Sequence, residues 1–508
     1  MSSQTINMTL SILKKTAYAI LFLVTALNIS ACDTDSHSNQ VRAIEDLCKA
    51  RVGVQIGTTV EIATNEYLEQ HNCPPVERFN SFPDSIAALT QGKLDAVVMD
   101  ELPAVKFVEK NPTLKILNTP FKTESYAIIL PKENNELMEK INTVIDDIHN
   151  EKLYERIYNT YVTHTDNYHY TAVNNDGPEF IIATSPDFPP YEYYENNEIV
   201  GIEIELAKII ADRLHMKLKI ESMEFDSIIN AVSSGKVHAG FSGFSKTEER
   251  AKVINFTHTI CSSQIFVIVP DHSKTSVQNH SSFTDKFSNN FIKEDRWKML
   301  VSGLMTTIII SVFSAIIGLL GGTVMAVIRI MNNRTGNFRI LNFLIRMYVN
   351  IIRGTPVMVQ LLIIYYIIFA SVDISKIVVA IVAFGLNSMA YTEEIIRAGM
   401  KSVPTGQFEA GYALGLKPFT IIRHIILPQA FKNNLPALAN EGISLIKETS
   451  ICGYIGLMDL TRGGVVIRNT TFEAFMPLLA VALIYLAIIG TLSACVARLE
   501  RNLKKNER

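Results

Sequence analysis

Nowhere in its 508 residues does the chain carry a G-x-x-x-x-G-K-S/T phosphate loop, which excludes nucleoside triphosphate hydrolysis in the Walker manner. Its six cysteines include no C-x-x-C pair, and the eleven histidines make no cluster at metal-ligand spacing, so neither a metal nor another cofactor is expected. A basic excess is also missing. The 47 Lys and Arg stand against 50 Asp and Glu, a formal net charge of -3, and no basic stripe with interleaved aromatics occurs, so nucleic acid is not an expected partner.

What is present is unevenly spread. Hydrophobic residues make up 48% of the chain, and the mean hydropathy is positive, which is uncommon among soluble enzymes. The apolar weight lies in long aliphatic runs behind residue 297, whereas the stretch from 40 to 295 has ordinary globular composition. The layout implied is a soluble part in front of a membranous one.

Residues 1–31 have the order of an export signal: Lys14 and Lys15, an apolar core from Ala17 to Leu27, then small residues before Cys32. Ile29-Ser30-Ala31-Cys32 resembles the bacterial lipoprotein box, with isoleucine where leucine is usual, and that resemblance implies lipidation of Cys32. An uncleaved signal anchor is the alternative. Both put the following segment outside the cytoplasm, where a disulfide among Cys48, Cys73 and Cys261 is permitted without a preferred pair.

From Leu300 to Ile328 no charged side chain occurs, more than the roughly 20 residues needed to cross a hydrocarbon core. Further candidate spans run from 356 to 371, 376 to 395, 433 to 456 and 474 to 495, about five in all. Arg329, Arg334, Arg339, Arg346 and Arg353 follow the first span without an acid; Arg397, Lys401, Lys417, Arg423 and Lys432 follow the third. The tail adds Arg498, Arg501, Lys504, Lys505 and Arg508. Cytoplasmic loops retain Lys and Arg, so these three regions are expected inside and the start of the first span outside, in agreement with the export signal. Glu441, Lys447 and Glu448 lie in or beside the fourth span, where charge is costly, and should face protein or water.

Between the third and fourth spans stands Glu409-Ala410-Gly411-Tyr412-Ala413-Leu414-Gly415, followed nine residues later by Ile425-Ile426-Leu427-Pro428. This resembles the EAA loop of ABC importer permeases, which implies helix, glycine turn and second helix docking on a separate ATPase subunit. Glu409, Ala410, Gly415, Leu427 and Pro428 are its expected coupling residues, with Gly415 supplying positive φ and Pro428 closing the second helix. Arg353-Gly354-Thr355-Pro356 and Ser402 to Gln407 resemble the polar amino acid branch of these permeases, over about 297–500. The family implies a second permease chain, here a homodimer.

In the exported half, Ala88 to Ala96 and Ala231 to Ala239 share one pattern 143 residues apart: helix, glycine stop, buried strand. Two similar α/β lobes are implied. The second unit holds Thr184-Ser185-Pro186-Asp187-Phe188-Pro189-Pro190-Tyr191-Glu192-Tyr193 and Ser242-Gly243-Phe244-Ser245-Lys246-Thr247-Glu248-Glu249-Arg250, and resembles lobe one of the periplasmic amino acid binding proteins. The first, with Val52 to Thr59 and Asp95 to Asp100, resembles lobe two, followed by that family's C-terminal helices around Leu137 to Tyr161. The order is reversed from the family's. A circular permutation explains this, because the original ends lie close together at the surface; decay of a tandem pair of binding domains is the alternative.

An amino acid presents a carboxylate, an ammonium and a side chain, and a closing clamp needs a partner for each. The resemblance implies that Arg250 grips the carboxylate with Ser245 and the N–H groups of Thr58 and Thr59, while Asp100 takes the ammonium. It further implies that Phe188 and Phe225 sandwich the ligand side chain, Tyr191 supports the wall, and Ser242 and Gly243 offer main-chain contacts. Ser185 replaces the Asp of relatives that take basic ligands, and Gln55 offers another contact, so an uncharged polar amino acid is expected.

The expected fold is thus an α/β two-lobed periplasmic binding protein, type II-like and circularly permuted, followed by an all-α polytopic membrane domain. Its parts are a signal peptide over 1–31, lobe two with C-terminal helices over 40–163, lobe one over 179–270, a linker over 271–297 and the permease over 298–500. The expected function is the permease and substrate-binding subunit of an importer in the bacterial inner membrane, not an enzyme. A ligand-gated channel would need a re-entrant filter, and no T-V-G-Y-G-like stretch occurs; a sensor would need a signalling segment after the spans.

Overall fold

The computed structural model describes residues 40–172, 177–273, 282–370, 372, 374–471 and 473–505. The signal peptide over 1–31 and Cys32 lie outside the described residues.

The strands are β1 (Val52–Gln55), β2 (Glu77–Phe79), β3 (Ala96–Asp100), β4 (Leu114–Ile116), β5 (Lys122–Pro131), β6 (Glu179–Thr184), β7 (Asp187–Phe188), β8 (Glu192–Glu195), β9 (Glu198–Val200), β10 (Lys217–Ser222), β11 (Ala239–Ser245), β12 (Ile254–Phe256) and β13 (Cys261–Pro270). Ten of them build one curled mixed sheet, β10-β6-β11-β5-β13-β3-β1-β2, with β12 beside β5 and β4 beside β13. At one end β1 runs parallel to β2 and β3; at the other β6 runs parallel to β10 and β11. Between them β5 and β13 cross antiparallel, in register from Tyr126↔Cys261 to Lys122↔Ile265. Two lobes joined by two crossing strands follow, and lobe two comes first in the chain, as the permuted order requires.

The shared pattern becomes a shared unit. The helix Phe82–Thr90 leads through Gly92 (φ 71°) into β3, and Phe225–Ser233 leads through Gly235 (φ 70°) into β11. Both helices bury their apolar stripe on the sheet, with Phe82, Ile86 and Leu89 in lobe two and Phe225, Ile228 and Val232 in lobe one. Fully burying one such side chain contributes about 1.5 to 3 kcal/mol. Val52, Val54, Val98, Ile265 and Val267 form the core on lobe two's other face, where Cys48 and Cys73 pack and are joined as a disulfide. Cys261 is free.

Among the described residues of the membrane half, three helices are long and apolar enough to span a bilayer: Trp297–Thr335, Lys376–Ser402 and Phe475–Arg501. Arg339–Gly354 and Val357–Ile368 make a fourth if their pair, bent by 110°, counts as one span. The helix Leu427–Glu448, where a further span was expected, carries Lys432, Glu441, Lys447 and Glu448 and falls outside that set. Ser388 donates to Glu441 at 3.1 Å, so that carboxylate faces the neighbouring helix. Arg329 and Arg397 both reach Glu393, at 3.0 and 3.1 Å, and lock the first helix to Lys376–Ser402.

Candidate functional site

The cleft between the lobes is walled by the segments that leave the sheet at its hinge. Thr58 caps the helix Thr59–Gln70, its side-chain oxygen accepting from the Glu61 N–H, and its own hydroxyl donates to the Gln55 carbonyl at 2.8 Å. Asp100 ends β3; Phe188 ends β7; Phe225 opens its helix; Ser242 and Gly243 lie in β11. Gln55, Thr58, Thr59, Asp100, Phe188, Phe225, Ser242 and Gly243 all line one cavity, of about 20 Å³. That volume is close to a single water, so the lobes stand tightly shut and must part to admit anything larger.

Arg250 is 7% exposed and spans the cleft: its guanidinium donates to the Ser245 carbonyl at 2.8 Å in lobe one and to the Gly57 carbonyl at 2.7 Å in lobe two. Its planar group lies near the Phe225 and Phe244 rings, which stack at 4.8 Å. Burial lowers the Arg250 pKa to about 10, with Glu124 opposing the shift, so the group stays cationic at neutral pH.

Asp100 is buried and accepts a hydrogen bond from the Tyr126 hydroxyl. Burial first, and Glu124 second, push its pKa up to about 7. Phe188 stacks on Tyr191 of its own lobe at 5.3 Å and on Phe82 of the opposite lobe at 5.7 Å, so its aromatic partner across the cleft is Phe82.

Three positions differ from the simplest expectation. Ser185 donates to Asp187 at 2.8 Å, and it is Asp187, with a pKa raised to about 6 by burial, that lines the cavity. The Gly243 N–H donates to Glu203 at 3.0 Å and the Ser242 hydroxyl to Glu192 at 2.6 Å, so both polar groups already serve buried carboxylates. Burial raises the pKa of Glu203 to about 7 and that of Glu192 further, the two acids repelling each other.

Glu124 was not legible beforehand. It sits in β5 where the strand crosses between lobes, is buried, and accepts from Thr59 at 2.6 Å and Ser245 at 2.8 Å, one hydroxyl from each lobe. The signal in the sequence was an acid, at Thr123-Glu124-Ser125, leading into the apolar run Tyr126 to Leu130.

In the other half, helix Gly406–Ala413 ends at Gly415 (φ 73°), where the expected positive φ is found. Glu409, Ala410 and Pro428 are exposed and Leu427 is half-buried, while Tyr412, Leu414 and Phe419 show 43%, 77% and 53% of their surface. Large apolar side chains are thus exposed on this segment beside Glu409. Pro428 does not close the second helix. It is the second residue of Leu427–Glu448, which continues directly from Pro418–Ile421 through the wide turn Ile422–Ile426, and at that position proline needs no intrahelical N–H bond.

The description of bacterial extracellular solute-binding proteins, family 3, matches residues 180–450. The arginine transport system permease protein ArtQ of Bacillus subtilis (strain 168) is 38% identical over 210 residues, 41% of this chain and 94% of its own length. The glutamine transport system permease protein GlnP of Escherichia coli (strain K12) is 38% identical over 209 residues, 41% of this chain and 93% of its own. Among solved structures, a crystal structure of an amino acid ABC transporter with histidines shares 34% identity over 42% of this chain and 98% of that one, with a TM-score of 0.38.

Proposed function

Because the chain belongs to the bacterial extracellular solute-binding proteins of family 3 and, in the same polypeptide, to the permeases of amino acid ABC transporters, we propose that it captures a free polar amino acid outside the membrane and passes it inward. A separate ABC ATPase in the cytoplasm drives the step, and two copies of the chain form the pathway. The proposed parts are the binding lobes over 40–163 and 179–270, the linker over 271–297 and the permease over 298–500.

The observation that carries this reading is Arg250 held between Gly57 of lobe two and Ser245 of lobe one, with Asp100 lining the same cleft. A guanidinium and a carboxylate fixed on two hinged bodies match the two charges of an amino acid, and ligand contacts to both lobes favour the shut form. Thr58 and Thr59 complete the proposed carboxylate side and Gln55 offers a further contact; Phe188 and Phe225 form the proposed wall, with Tyr191 stacked on Phe188, Ser242 and Gly243 also line the cavity, and Ser185 acts through its hydrogen bond to Asp187.

Placement supports the proposed orientation in the inner membrane. Lys376, at the start of Lys376–Ser402, pairs with Glu221 of the binding half, whereas the Glu409 segment follows the other end of that helix. Twenty-seven residues rise about 40 Å, so the two partner surfaces lie a bilayer apart. The Cys48–Cys73 disulfide suits an oxidising compartment.

Ser185 favours an uncharged polar ligand, and Asp187 in the cavity wall favours the second reading, a basic amino acid. Equilibrium binding of labelled amino acids to the full chain in nanodiscs tests both: saturable binding lost in Arg250→Ala supports the clamp, glutamine against arginine decides the class, and binding of no amino acid refutes the reading.

A further inference from the structure

We propose that the short helix Leu460–Thr471 of the membrane half reads whether the cleft is shut, by gripping one carboxylate on each lobe of the same chain. The inference rests on the amino acid clamp proposed above and adds how a filled clamp is reported to the pathway.

Arg462 pairs with Glu224 of lobe one, and its second amino group reaches the Ser222 hydroxyl at 3.5 Å. Arg468 forms a two-pronged pair with Asp84 of lobe two, at 2.9 and 3.1 Å. The arginines stand six positions apart, which sets them about 9 Å apart along the axis and about 120° apart around it, one aimed at each lobe.

Each carboxylate sits beside a wall of the ligand cavity. Glu224 immediately precedes Phe225, and Asp84 lies two residues past Phe82, at the start of their helices. Phe82 and Phe225 both line the cavity from opposite lobes. Swinging the lobes apart about β5 and β13 therefore separates Asp84 from Glu224, and a rigid helix satisfies both arginines at one separation only.

The helix is rigidly set. Its back face carries Gly463 and Gly464, where a Cβ would come to 2.8 Å of the Met299 carbonyl and 2.4 Å of the Val481 side chain. Those close approaches fix it against the helices Trp297–Thr335 and Phe475–Lys505. Asp459 caps it by accepting from the Arg462 N–H at 2.9 Å, and the Leu460 N–H donates to Thr307 at 3.2 Å.

The two lobes are not held alike. Lobe one has further footholds: Lys376 on Glu221, and Lys236 donating to the carbonyls of Phe369 and Val372. Lobe one is the foot, and Asp84–Arg468 is the contact that closure makes.

The test uses the full chain with its ATPase in proteoliposomes and ¹⁴C-labelled glutamine and arginine as probes. Asp84→Arg and Glu224→Arg should each cut uptake at least tenfold while saturable equilibrium binding of the same probe persists, weakened in Asp84→Arg because the shut form loses a contact, which also shows that the variants fold. Adding Arg468→Asp or Arg462→Glu, respectively, should restore most of the uptake. Independently, a cysteine pair at 84 and 468 should cross-link faster with ligand present, whereas a pair at 224 and 462 should cross-link with or without it. Uptake within twofold of normal in the reversed-charge variants, no rescue by the paired variants, or ligand-independent cross-linking at 84 and 468 overturns the inference. If the unmodified chain binds neither probe, the clamp reading itself fails and this inference falls with it.

Discussion

The guanidinium of Arg250, on lobe one, donates to the backbone carbonyl of Gly57, on lobe two, at 2.7 Å. One side chain thereby bridges the two lobes, and its positive charge is the proposed partner of the ligand carboxylate. Truncating a buried, hydrogen-bonded charge costs about 2 to 5 kcal/mol of binding, roughly thirtyfold or more in affinity. Arg250→Ala should lose at least that much by calorimetric titration, and Arg250→Lys most of it, since an ammonium cannot reproduce the two-pronged grip.

Asp100 predicts the pH dependence. Its pKa is raised to about 7, and an ammonium ligand needs the ionised form, so affinity should weaken by up to about tenfold per unit as pH falls below 7. Asp100→Asn should bind weakly with a flat profile. Folding runs the other way. Between the ordinary carboxylate pKa and 7 the native state holds the extra proton, so stability contributed by Asp100 is lost as pH rises through that window, and Asp187 and Glu203 act in the same sense. Asp100→Asn should therefore raise the melting temperature at pH 8 more than at pH 5.

The Cys48–Cys73 disulfide closes a loop of 25 residues. Cross-linking a loop of that size is worth about 3 kcal/mol. Replacing both cysteines by serine should lower the midpoint of lobe two's unfolding in denaturant by a corresponding amount, and reductant should lower the native protein's midpoint while leaving the double variant unchanged.

At the far end of the helices, Glu409→Lys places the wrong charge on the rim of the exposed Tyr412, Leu414 and Phe419 surface. Like-charge juxtaposition at an interface costs several kcal/mol. Co-purification of the ATPase should fall by roughly tenfold or more with ligand binding unchanged; undiminished association and uptake would remove Glu409 from the coupling surface.

Periodicity made parts of the fold readable. The pattern shared by Ala88 to Ala96 and Ala231 to Ala239 announced two like lobes, because a helix, a glycine stop and a buried strand each leave a local mark. The first membrane helix was equally plain from its uncharged run. Long-range pairing left no such mark. Nothing local marks Glu124, and only the crossing of β5 with β13 brings it between Thr59 and Ser245. Asp187 stood in the quoted motif, but its neighbour Ser185 drew the ligand assignment because the register that turns Asp187 inward is a property of the folded chain. Pro428 misled because a proline reads locally as a stop, while a wide turn ahead of it lets the helix run on.

The most direct measurement is ATP-driven uptake by proteoliposomes holding only this chain and its ATPase, with labelled glutamine or arginine and no added binding protein. The account predicts accumulation that is saturable and abolished by Arg250→Ala. Uptake that appears only when a soluble binding protein is supplied, or that survives Arg250→Ala unchanged, would contradict it.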